Sequence, residues 1–512
     1  MQKNYWTRRN VMAQMGAALG GSLFAGQALA QAPRAGAPAV DPKFLIVMCC
    51  SGGASLVDSF MAVPESTSAN AATVNAWPDR LVQKIDGSPF TAIDYSARAI
   101  GAIPIPFTGN QSNFVKKHHA DMMTVTMTGT SVNHGVAEYR SINGNAAYKG
   151  RTLQEAVATH YGAGRVIPNV HLINGVSFTD RGTDASIPSN AFGERVAAPN
   201  LWPLSLDGYK GIKDAPSRDL FEKAREFRNS RLDPNSEFAK TFASSARLDE
   251  WERLRGDPLK GVEGEDLISK LMFFPDSTEM PLSQFGLQAS QLSQKVVNAF
   301  PKYKTDPLEA QAAMAFLLLR YGISVTVTFG PDLNGLLKDG ASIGFSGAGG
   351  GGLKDGDLIN TPVGFDFSHN DVRSAQSMMW TRALSVTDRF ITLLKSEEYK
   401  DGQSYWDRSM IYFATEFGRT RNRPANAMNF GAGHDLNNGF LIISPLVNGN
   451  TVQGGVDTKT TLTYGFDPAT GRPDPNRTMT EQHVYAGIVQ ALGVPTPGVT
   501  LPDMKSMRKG MA

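Results

Sequence analysis

The residues of this sequence that could do chemistry follow its apolar segments, at the points where strands would end. They are carboxylates, imidazoles, hydroxyls and one guanidinium. In chain order, the candidates are Asp58, Thr130, Ser131, His134, Asp366, His369, Glu416, Arg419 and His434. Anionic oxygen and neutral nitrogen ligands together hold a divalent ion, which polarises an ester and activates a nucleophile. The set therefore predicts a hydrolytic centre with one or two ions of zinc, manganese or calcium.

Each of these residues taken alone has a plainer explanation, as a helix cap, a hydrogen-bonding loop residue or a solvated charge. The positions of the histidines help to separate site residues from these plainer explanations. Of eight, His134, His369 and His434 lie beside Asn or Asp in loops that contain glycine. The others are predicted to lie on the surface (His118 and His119), to occupy helix or strand positions (His160 and His171), or to face either the core or the site (His483).

The elements that must position these side chains begin with a strand at 44–50, a continuous apolar run that ends in Ser51-Gly52-Gly53. Such a run is typical of a fully buried strand that leads into a tight turn. Similar runs recur at 123–127, 169–173, 323–329, 409–415 and 440–444. Helical patterns lie between them, which predicts an α/β layered fold with a parallel sheet. Ligands of such sheets bind at the carboxyl ends of the strands.

Two helices are marked by their caps. The first begins at Pro307, with Asp306 as its cap and Glu309 completing a capping box, and ends at Gly322. The last helix opens at Thr478-Met479-Thr480-Glu481, another predicted capping box, and runs to Gly493.

Two segments are predicted to be insertions in an α/β domain formed by 43–206 and 273–512. Residues 207–272 are charged with a helical period, which predicts a helical insertion. Residues 331–363 are rich in glycine and predict a disordered loop or a lid over a site. The glycines follow a polar stretch and open no helix, which excludes a dinucleotide-binding fingerprint.

The first thirty residues predict a twin-arginine signal peptide. Arg8-Arg9 precedes a short apolar stretch and Ala28-Leu29-Ala30, so cleavage is expected after Ala30. Residues 31–42 then form a flexible tether. We expect a periplasmic or secreted protein, with the twin-arginine export machinery as a partner. No later apolar run is long enough to span a membrane after cleavage.

Composition excludes some functions. The formal net charge is +2 and no long basic run occurs, so nothing indicates binding to nucleic acid or to an anionic membrane surface. The two cysteines, Cys49 and Cys50, are neighbours in an apolar strand. Two buried thiols are the favoured interpretation over a metal or redox role, because adjacent cysteines lack the C-x-x-C geometry.

Four motifs of the chain resemble, in order, those of a family of bacterial exported proteins called domain of unknown function 1501. This family belongs to the alkaline phosphatase/sulfatase-like superfamily. The motifs are Gly-Gly-Ala-Ser-Leu-Val-Asp-Ser-Phe from Gly52, Asn133-His134 followed by Gly144, Thr415-Glu416-Phe417-Gly418-Arg419-Thr420, and Gly433-His434 with Gly454-Gly455. Glu-Phe-Gly-Arg-Thr is the most specific of them.

The resemblance implies an alkaline phosphatase-like fold, in which helices sandwich a mixed, mostly parallel sheet. It implies metal binding at Asp58, Asp366, His369, Glu416 and His434, with Asp371 and Asp435 as possible substitutes. The nucleophile is left open among Thr130, Ser131, Asn133 and His134, with Arg419 holding an anionic oxygen. The chain departs from the family at Asp366-Phe367-Ser368-His369 and at Gly433-His434-Asp435, where the family has Asp-x-His and Asp-His.

The expected function is that of an exported, metal-dependent hydrolase or transferase that acts on phosphate or sulfate esters, so an anionic ester is the expected substrate. The alternative is a non-catalytic exported binding or assembly protein that keeps the fold. Members of the family are often encoded beside another large exported protein, which is a possible partner.

Overall fold

The computed structural model describes residues 41–97, 107–205, 267–331 and 364–510, together with positions 220, 223, 335–336 and 342–343. The predicted signal peptide at 1–30 and most of the tether lie outside these residues. Within the described ranges, no helix is both long enough and apolar enough to cross a membrane.

A mixed sheet of eight strands forms the centre of the fold. The strands are β1 (Phe44–Cys50), β2 (Met122–Met127), β3 (Asn169–His171), β4 (Glu194–Arg195), β5 (Thr326–Phe329), β6 (Ser409–Thr415), β7 (Asn438–Ile443) and β8 (Thr451–Gln453). Their order across the sheet is β8-β2-β7-β6-β1-β5-β3-β4. Strand β7 is antiparallel to its neighbours β6 and β2, and the remaining pairings in this described sheet are parallel. All six predicted strands are confirmed.

Helices cover both faces of the sheet. Those described are α1 (Gln111–His118), α2 (His134–Asn143), α3 (Leu153–Tyr161), α4 (Leu267–Leu271), α5 (Ser293–Ala299), α6 (Pro307–Arg320), α7 (Val372–Ser396) and α8 (Glu481–Leu492). Neighbouring residues of β6 show the two layers, because adjacent strand side chains point to opposite faces. The Tyr412 hydroxyl donates to the Ser141 carbonyl of α2 at 2.9 Å, whereas the Phe413 ring lies 5.8 Å from Trp380 of α7. The α/β class is therefore confirmed.

Short strands outside the main sheet pair locally. Val82–Lys84, Thr91–Ala97 and Phe107–Asn110 form one small antiparallel sheet, and Gly455–Val456, Thr463–Phe466 and Pro473–Asp474 form another. Two-stranded ribbons pair Glu398–Lys400 with Gln403–Ser404, and Gly418–Arg419 with His434–Asp435. The second ribbon carries two of the predicted site residues.

The core is built on β1, whose seven residues are all buried. Each large aliphatic or aromatic side chain buried in this way stabilises the fold by roughly 1.5–3 kcal/mol. Cys49 and Cys50 lie in this strand with no exposure, which confirms the prediction of two buried thiols. Burial raises the pKa of both thiols, so they stay protonated and unreactive at neutral pH.

The predicted helix boundaries hold, but the capping boxes differ in detail. Asp306 caps α6 by accepting from the Leu308 amide at 3.0 Å, whereas Glu309 accepts from the Lys302 amide at 2.6 Å and takes no part in the cap. Helix α8 begins at Glu481, and the imidazole of His483 accepts from the Thr480 amide at 3.2 Å. His483 therefore belongs to a helix cap.

The two predicted insertions lie largely outside the described residues. Of 207–272, the structure describes helical positions at Leu220 and Lys223 and the helix α4 at its end. Of 331–363, it describes Gly335–Leu336 paired antiparallel with Ser342–Ile343. The helical insertion and the lid remain predictions.

The prediction that His118 lies on the surface is wrong. Its ring is buried against Phe114, with ring centroids 4.6 Å apart, and its Nε2 lies 2.7 Å from Asp388 of α7. The two lysines before it are exposed, and Lys117 pairs with the same Asp388 carboxylate at 2.6 Å. His171 is buried in β3, as its strand position predicts.

Because burial lowers the pKa of His171 to about 3, with the Arg195 charge adding to the effect, the folded protein should resist protonation at this ring. The unfolded chain takes up that proton as the pH falls below about 6.5. The free energy of unfolding should therefore fall by about 1.4 kcal/mol for each pH unit that the pH is lowered between about 6.5 and 3. His171→Leu removes this contribution. We expect its urea-unfolding free energy to depend less steeply on pH than that of the wild type between pH values of about 4 and 6; parallel curves would contradict the assignment.

Candidate metal centre

The ends of β1 and β6 lie side by side and set the floor of the site. These strands are parallel neighbours, with Cys50 opposite Thr415, so the residues that follow them meet at one edge of the sheet. The Gly52 amide donates to the Glu416 carboxylate. Gly52 has a φ of 91°, and a Cβ there would lie 2.2 Å from the Asp366 amide nitrogen. Only glycine therefore allows the close approach of the turn that carries Asp366.

A single turn of 3-10 helix, Phe365–His369, supplies Asp366 and His369 immediately before α7. The Phe365 amide donates to the Ser51 carbonyl at 2.8 Å, which fixes this turn to the end of β1. His434 comes from the ribbon in which it pairs with Arg419. His134 is the first residue of α2, the helix that follows β2 and is capped by the Asn133 side chain. The end of β1, the 3-10 turn, the ribbon and the start of α2 thus meet at one edge of the sheet.

Three imidazoles converge on one carboxylate oxygen. The Nε2 atoms of His369, His134 and His434 lie 3.3, 3.7 and 3.9 Å from Asp366 Oδ1. The Nε2 atoms of His369 and His434 are 3.0 Å apart. His134, Asp366 and His434 each offer a ligand atom within 4.8 Å of the others. His134, Asp366, His369 and His434 are called the His3Asp group below.

The distances given for the His3Asp group are compatible with a metal ion, and His134, Asp366 and His434 form the set whose ligand atoms all lie within 4.8 Å of one another. Ligand atoms that surround a tetrahedral zinc ion at about 2.0–2.1 Å lie about 3.3 Å from one another. The distances of 3.0 to 3.9 Å around Asp366 Oδ1 and between His369 and His434 bracket that value. Without an ion between them, the Nε2 atoms of His369 and His434 at 3.0 Å can share at most one proton. Three nitrogens and one carboxylate oxygen are also the donors that zinc prefers.

Hydrogen bonds to the other ring nitrogens orient two of the imidazoles. Nδ1 of His134 lies 2.6 Å from Glu416 Oε2, and Nδ1 of His434 lies 2.8 Å from the Val132 carbonyl. In the neutral form of each ring, Nδ1 then carries the proton and Nε2 keeps its lone pair. A carboxylate or carbonyl behind a histidine in this way is the usual support of a metal-ligating imidazole. Glu416, predicted as a ligand, is placed here as the support of His134.

Arg419 is the cation of the site and is fully buried. Its Nη2 donates to Asp366 Oδ1 at 2.8 Å, and its Nη1 donates to Nε2 of His369 at 3.4 Å. The same guanidinium donates to the carbonyl of Gly52. Arg419 therefore ties the end of β1 to the His3Asp group and balances the charge of Asp366.

Glu138 belongs to the site, although the sequence reasoning did not identify it. It lies one helical turn after His134 on α2, is buried, and accepts from the Ser177 amide at 2.6 Å. Burial and the neighbouring charge of Glu416 raise the pKa of Glu138 to about 8. Glu138 is thus a neutral acid at neutral pH that can donate to Glu416. The spacing of four residues from His134 was the available signal.

The three histidines differ in their affinity for protons. Burial lowers the pKa of His369 and His434, and the Arg419 charge lowers both further. Burial also opposes protonation of His134, but its hydrogen bond to Glu416 and the Glu416 charge outweigh that effect and raise its pKa. Two of the imidazoles are therefore held in the neutral form that a metal ion requires.

The site is buried on the side of its two carboxylates and open to solvent on the side of two imidazoles. The carboxylates of Asp366 and Glu416 are 4% and 0% exposed, whereas the His134 and His369 side chains are 38% and 39% exposed. The Phe417 ring forms a wall, stacked on His434 with centroids 3.9 Å apart. A ligand can thus approach from the imidazole side, away from the buried charges.

Six of the nine predicted residues meet in this site, and three are placed elsewhere. Asp58 is buried and accepts from Asn75 at 2.6 Å and from the Trp77 indole at 3.3 Å, with Arg421 at 3.7 Å. Its carboxylate does not belong to the His3Asp group. This placement gives Asp58 a structural role in holding Asn75 and Trp77.

The two predicted hydroxyl nucleophiles make other contacts. Thr130 donates to the Glu481 carboxylate, and Ser131 Oγ accepts from the Asn133 amide at 3.1 Å. Of the possible substitute ligands, Asp371 caps α7 through the Ser374 amide and hydroxyl, and Asp435 accepts from the Asn437 amide at 2.9 Å. Both carboxylates thus have the plainer role of local hydrogen-bonding residues.

Replacing Glu416 with glutamine should weaken zinc binding without removing a ligand. We expect Glu416→Gln to lower the affinity by about ten- to a hundredfold, because the amide carries no charge to hold the His134 ring. Competition with a chelating dye measures this change. Glu398→Gln, in an exposed strand of a two-stranded ribbon, is the control. Equal affinities of the two variants would remove Glu416 from the site.

Searches of the chain against family models, curated proteins and solved structures return no match. The family resemblance of the four motifs therefore stays a prediction, and the chemistry of the site rests on its geometry.

Proposed function

We propose that the protein is a zinc-dependent hydrolase or transferase of phosphate or sulfate esters, built on an alkaline phosphatase-like fold and exported to the periplasm or beyond. The observation that carries the proposal is the group of His134, Asp366 and His434, whose ligand atoms lie within 4.8 Å of one another. Nε2 of His369 lies beside it, 3.3 Å from Asp366 Oδ1 and 3.0 Å from Nε2 of His434. The four motifs that resemble the exported family support the fold and the compartment. A zinc ion held by the His3Asp group would act as a Lewis acid on the ester.

The charge of the site favours an anionic substrate only when a cation is bound. Asp366 and Glu416 contribute two negative charges and Arg419 one positive charge, while Glu138 is neutral near pH 7. With neutral imidazoles the sum is one negative charge, which repels a phosphate. A divalent ion changes that sum to one positive charge and attracts it.

The residues of the chain have distinct tasks in this proposal. Asp366, His134, His369 and His434 hold the ion, and Glu416 orients His134. Arg419 neutralises the charge of Asp366 from the buried side of the site. The partly exposed imidazoles face the substrate, while Phe417 excludes water from one side of His434. Thr130 and Ser131 remain the predicted hydroxyl nucleophiles, and each must leave its present hydrogen bond to attack.

A non-catalytic binding or assembly role is the second candidate, and one observation favours it. Val132 and Val136, on either side of His134, and Leu436, two residues after His434, are exposed. Large apolar side chains beside a site can contact a partner protein. In this alternative the ion would stabilise the fold or the interface.

Hydrolysis of aryl phosphate and aryl sulfate separates the two candidates. We expect turnover of at least one ester, its loss after treatment with a chelator, and its recovery on addition of zinc. Protein that binds zinc but turns over neither ester would contradict the hydrolase and favour the binding role. With turnover established, Thr130→Ala and Ser131→Ala test the nucleophile.

A further inference from the structure

Glu138 links the metal centre to the 3-10 helix Ser177–Thr179. It lies on α2 one turn after His134 and is 5% exposed. One of its carboxyl oxygens accepts from the Ser177 amide at 2.6 Å. The carboxyl group also lies within hydrogen-bonding reach of Glu416, whose carboxylate supports the His134 ring. A chain of contacts therefore runs from Ser177 through Glu138 and Glu416 to a proposed zinc ligand.

The contact between Glu138 and Glu416 requires a proton, because two buried carboxylates side by side repel each other. Glu416 already accepts from the Gly52 amide through Oε1 and from Nδ1 of His134 through Oε2. Both of its oxygens act as acceptors, so Glu138 carries the proton and is the donor. Burial and the charge of Glu416, which raise the pKa of Glu138 to about 8, agree with this assignment.

The segment that carries Ser177 is itself fixed to the fold. Gln154 of α3 donates to the Phe178 carbonyl at 3.2 Å, and the Phe178 side chain is buried. Glu138 is therefore held by the backbone of an anchored segment, and not by a side chain that can rotate. A fixed Glu138 limits the Glu416 carboxylate to the orientation in which Oε2 faces the imidazole.

We infer that Glu138 is a positioning residue of the metal centre, whose carboxylic acid donates a hydrogen bond that keeps the Glu416 carboxylate oriented toward His134. The inference rests on the metal ion of the proposed function and on no particular ester. Glu138 is too buried to touch a substrate, so it acts through Glu416. The role needs a neutral donor of the right length, and the side-chain amide of glutamine also supplies one.

Two substitutions of Glu138 separate the effect of the donor from that of the space it fills. We expect Glu138→Gln to bind zinc within about twofold of the wild-type affinity, since its amide can accept from Ser177 and donate to Glu416. Glu138→Met fills similar space without a donor and should bind zinc about tenfold more weakly, the lower end of the range for residues that support a metal ligand. Competition of the full chain with a chelating dye measures both affinities.

Glu155→Met is the matched control for Glu138→Met. Glu155 is a buried carboxylate on α3, 2% exposed, and accepts from the Thr152 and Gly182 amides at 2.9 and 2.8 Å. Its replacement should destabilise the fold, because backbone amides lose their acceptor, but should leave the zinc affinity unchanged. Equal zinc affinities of the two methionine variants would overturn the inference, and so would a Glu138→Gln variant that binds zinc as weakly as Glu138→Met.

Replacing Ser177 tests the same chain of contacts without altering Glu138, and it decides the matter if Glu138→Met does not fold. Ser177→Pro removes the amide hydrogen that Glu138 accepts. Proline is tolerated at the first position of a helical turn, and the preceding Val176 has the extended backbone that proline requires. We expect the zinc affinity to fall about threefold or more. Ser177→Ala keeps the amide and should bind zinc as the wild type does; equal affinities of these two variants would overturn the inference.

Failure of the proposed function has a different signature. Wild-type protein that binds zinc but turns over neither aryl phosphate nor aryl sulfate would contradict the hydrolase, and the order of the Glu138 variants in zinc affinity would still test this inference. Wild-type protein that binds no zinc would overturn the metal centre and this inference together. An active, zinc-binding wild type with a Glu138→Met variant of unchanged affinity overturns this inference alone.

Discussion

Replacing His434 with alanine is expected to lower the affinity for zinc by about a hundredfold or more. A four-ligand zinc site is worth about 10–16 kcal/mol, so one ligand contributes roughly 3 kcal/mol. The loss should be large because Nε2 of His434 lies 3.0 Å from that of His369, and its ring is held by the Val132 carbonyl and by Phe417. Turnover of aryl esters should fall with zinc content.

His160→Ala provides the control for this loss. His160 lies on α3, is partly exposed and belongs to no metal-binding group among the described residues. Equilibrium dialysis followed by elemental mass spectrometry should show about one zinc per chain for this variant and for the wild type. If His434→Ala binds zinc as tightly as His160→Ala does, the His3Asp group is not the metal centre.

Replacing Arg419 with methionine should destabilise the metal-free protein by about 3–5 kcal/mol, because it leaves the buried Asp366 charge without its partner. Arg419 is fully buried and donates to Asp366 at 2.8 Å, and Asp366 is only 4% exposed. Zinc supplies a replacement positive charge at Asp366 Oδ1. The free energy of unfolding should therefore rise more with zinc in this variant than in the wild type.

Arg382→Met is the matched control, since it removes another ion pair of low exposure, between Arg382 and Asp306 at 2.6 Å. This pair caps α6 and lies outside the metal centre. We expect a similar loss of stability that zinc does not reverse, measured by urea unfolding with and without the ion. If zinc stabilises both variants to the same extent, Arg419 and the ion do not share Asp366.

The strands could be predicted because continuous apolar runs such as the one at 44–50 have few alternatives when they are short and end in glycine. The strand order then brought the residues after β1, β2 and β6 to one edge. His134, Glu416 and Arg419 are positioned in this way, whereas Asp366 and His369 come from the turn before α7. Residue type and position after an apolar run placed six of the nine candidates in the site, whereas Asp58, Thr130 and Ser131 occupy similar positions and make other contacts.

The roles within the group could not be predicted, because they depend on which atom of each side chain faces which neighbour. Glu416 and Asp366 are both carboxylates after strands or turns, yet one supports the His134 ring and the other joins the ligand atoms. Asp58 shows the same limit. Its motif position implies a ligand, but Asn75 and Trp77, distant from the motif, take up its carboxylate.

His118 shows how tertiary packing overrides a local pattern. Two preceding lysines indicate a solvated segment, but α1 packs against α7, and Asp388 on that helix pairs with the imidazole. A partner 270 residues away leaves no trace in the local sequence. Glu138 was hidden for a similar reason, since burial between α2 and the end of β6 gives it a chemistry that its helical position alone does not show.

The central claim is that one metal ion lies between His134, Asp366, His369 and His434. Anomalous diffraction at the zinc edge, from crystals of protein grown with zinc, tests it most directly. We expect one strong peak within about 2.3 Å of the three Nε2 atoms and of Asp366 Oδ1. The absence of a peak there, or a peak at Asp58 or at any other carboxylate instead, would contradict the claim.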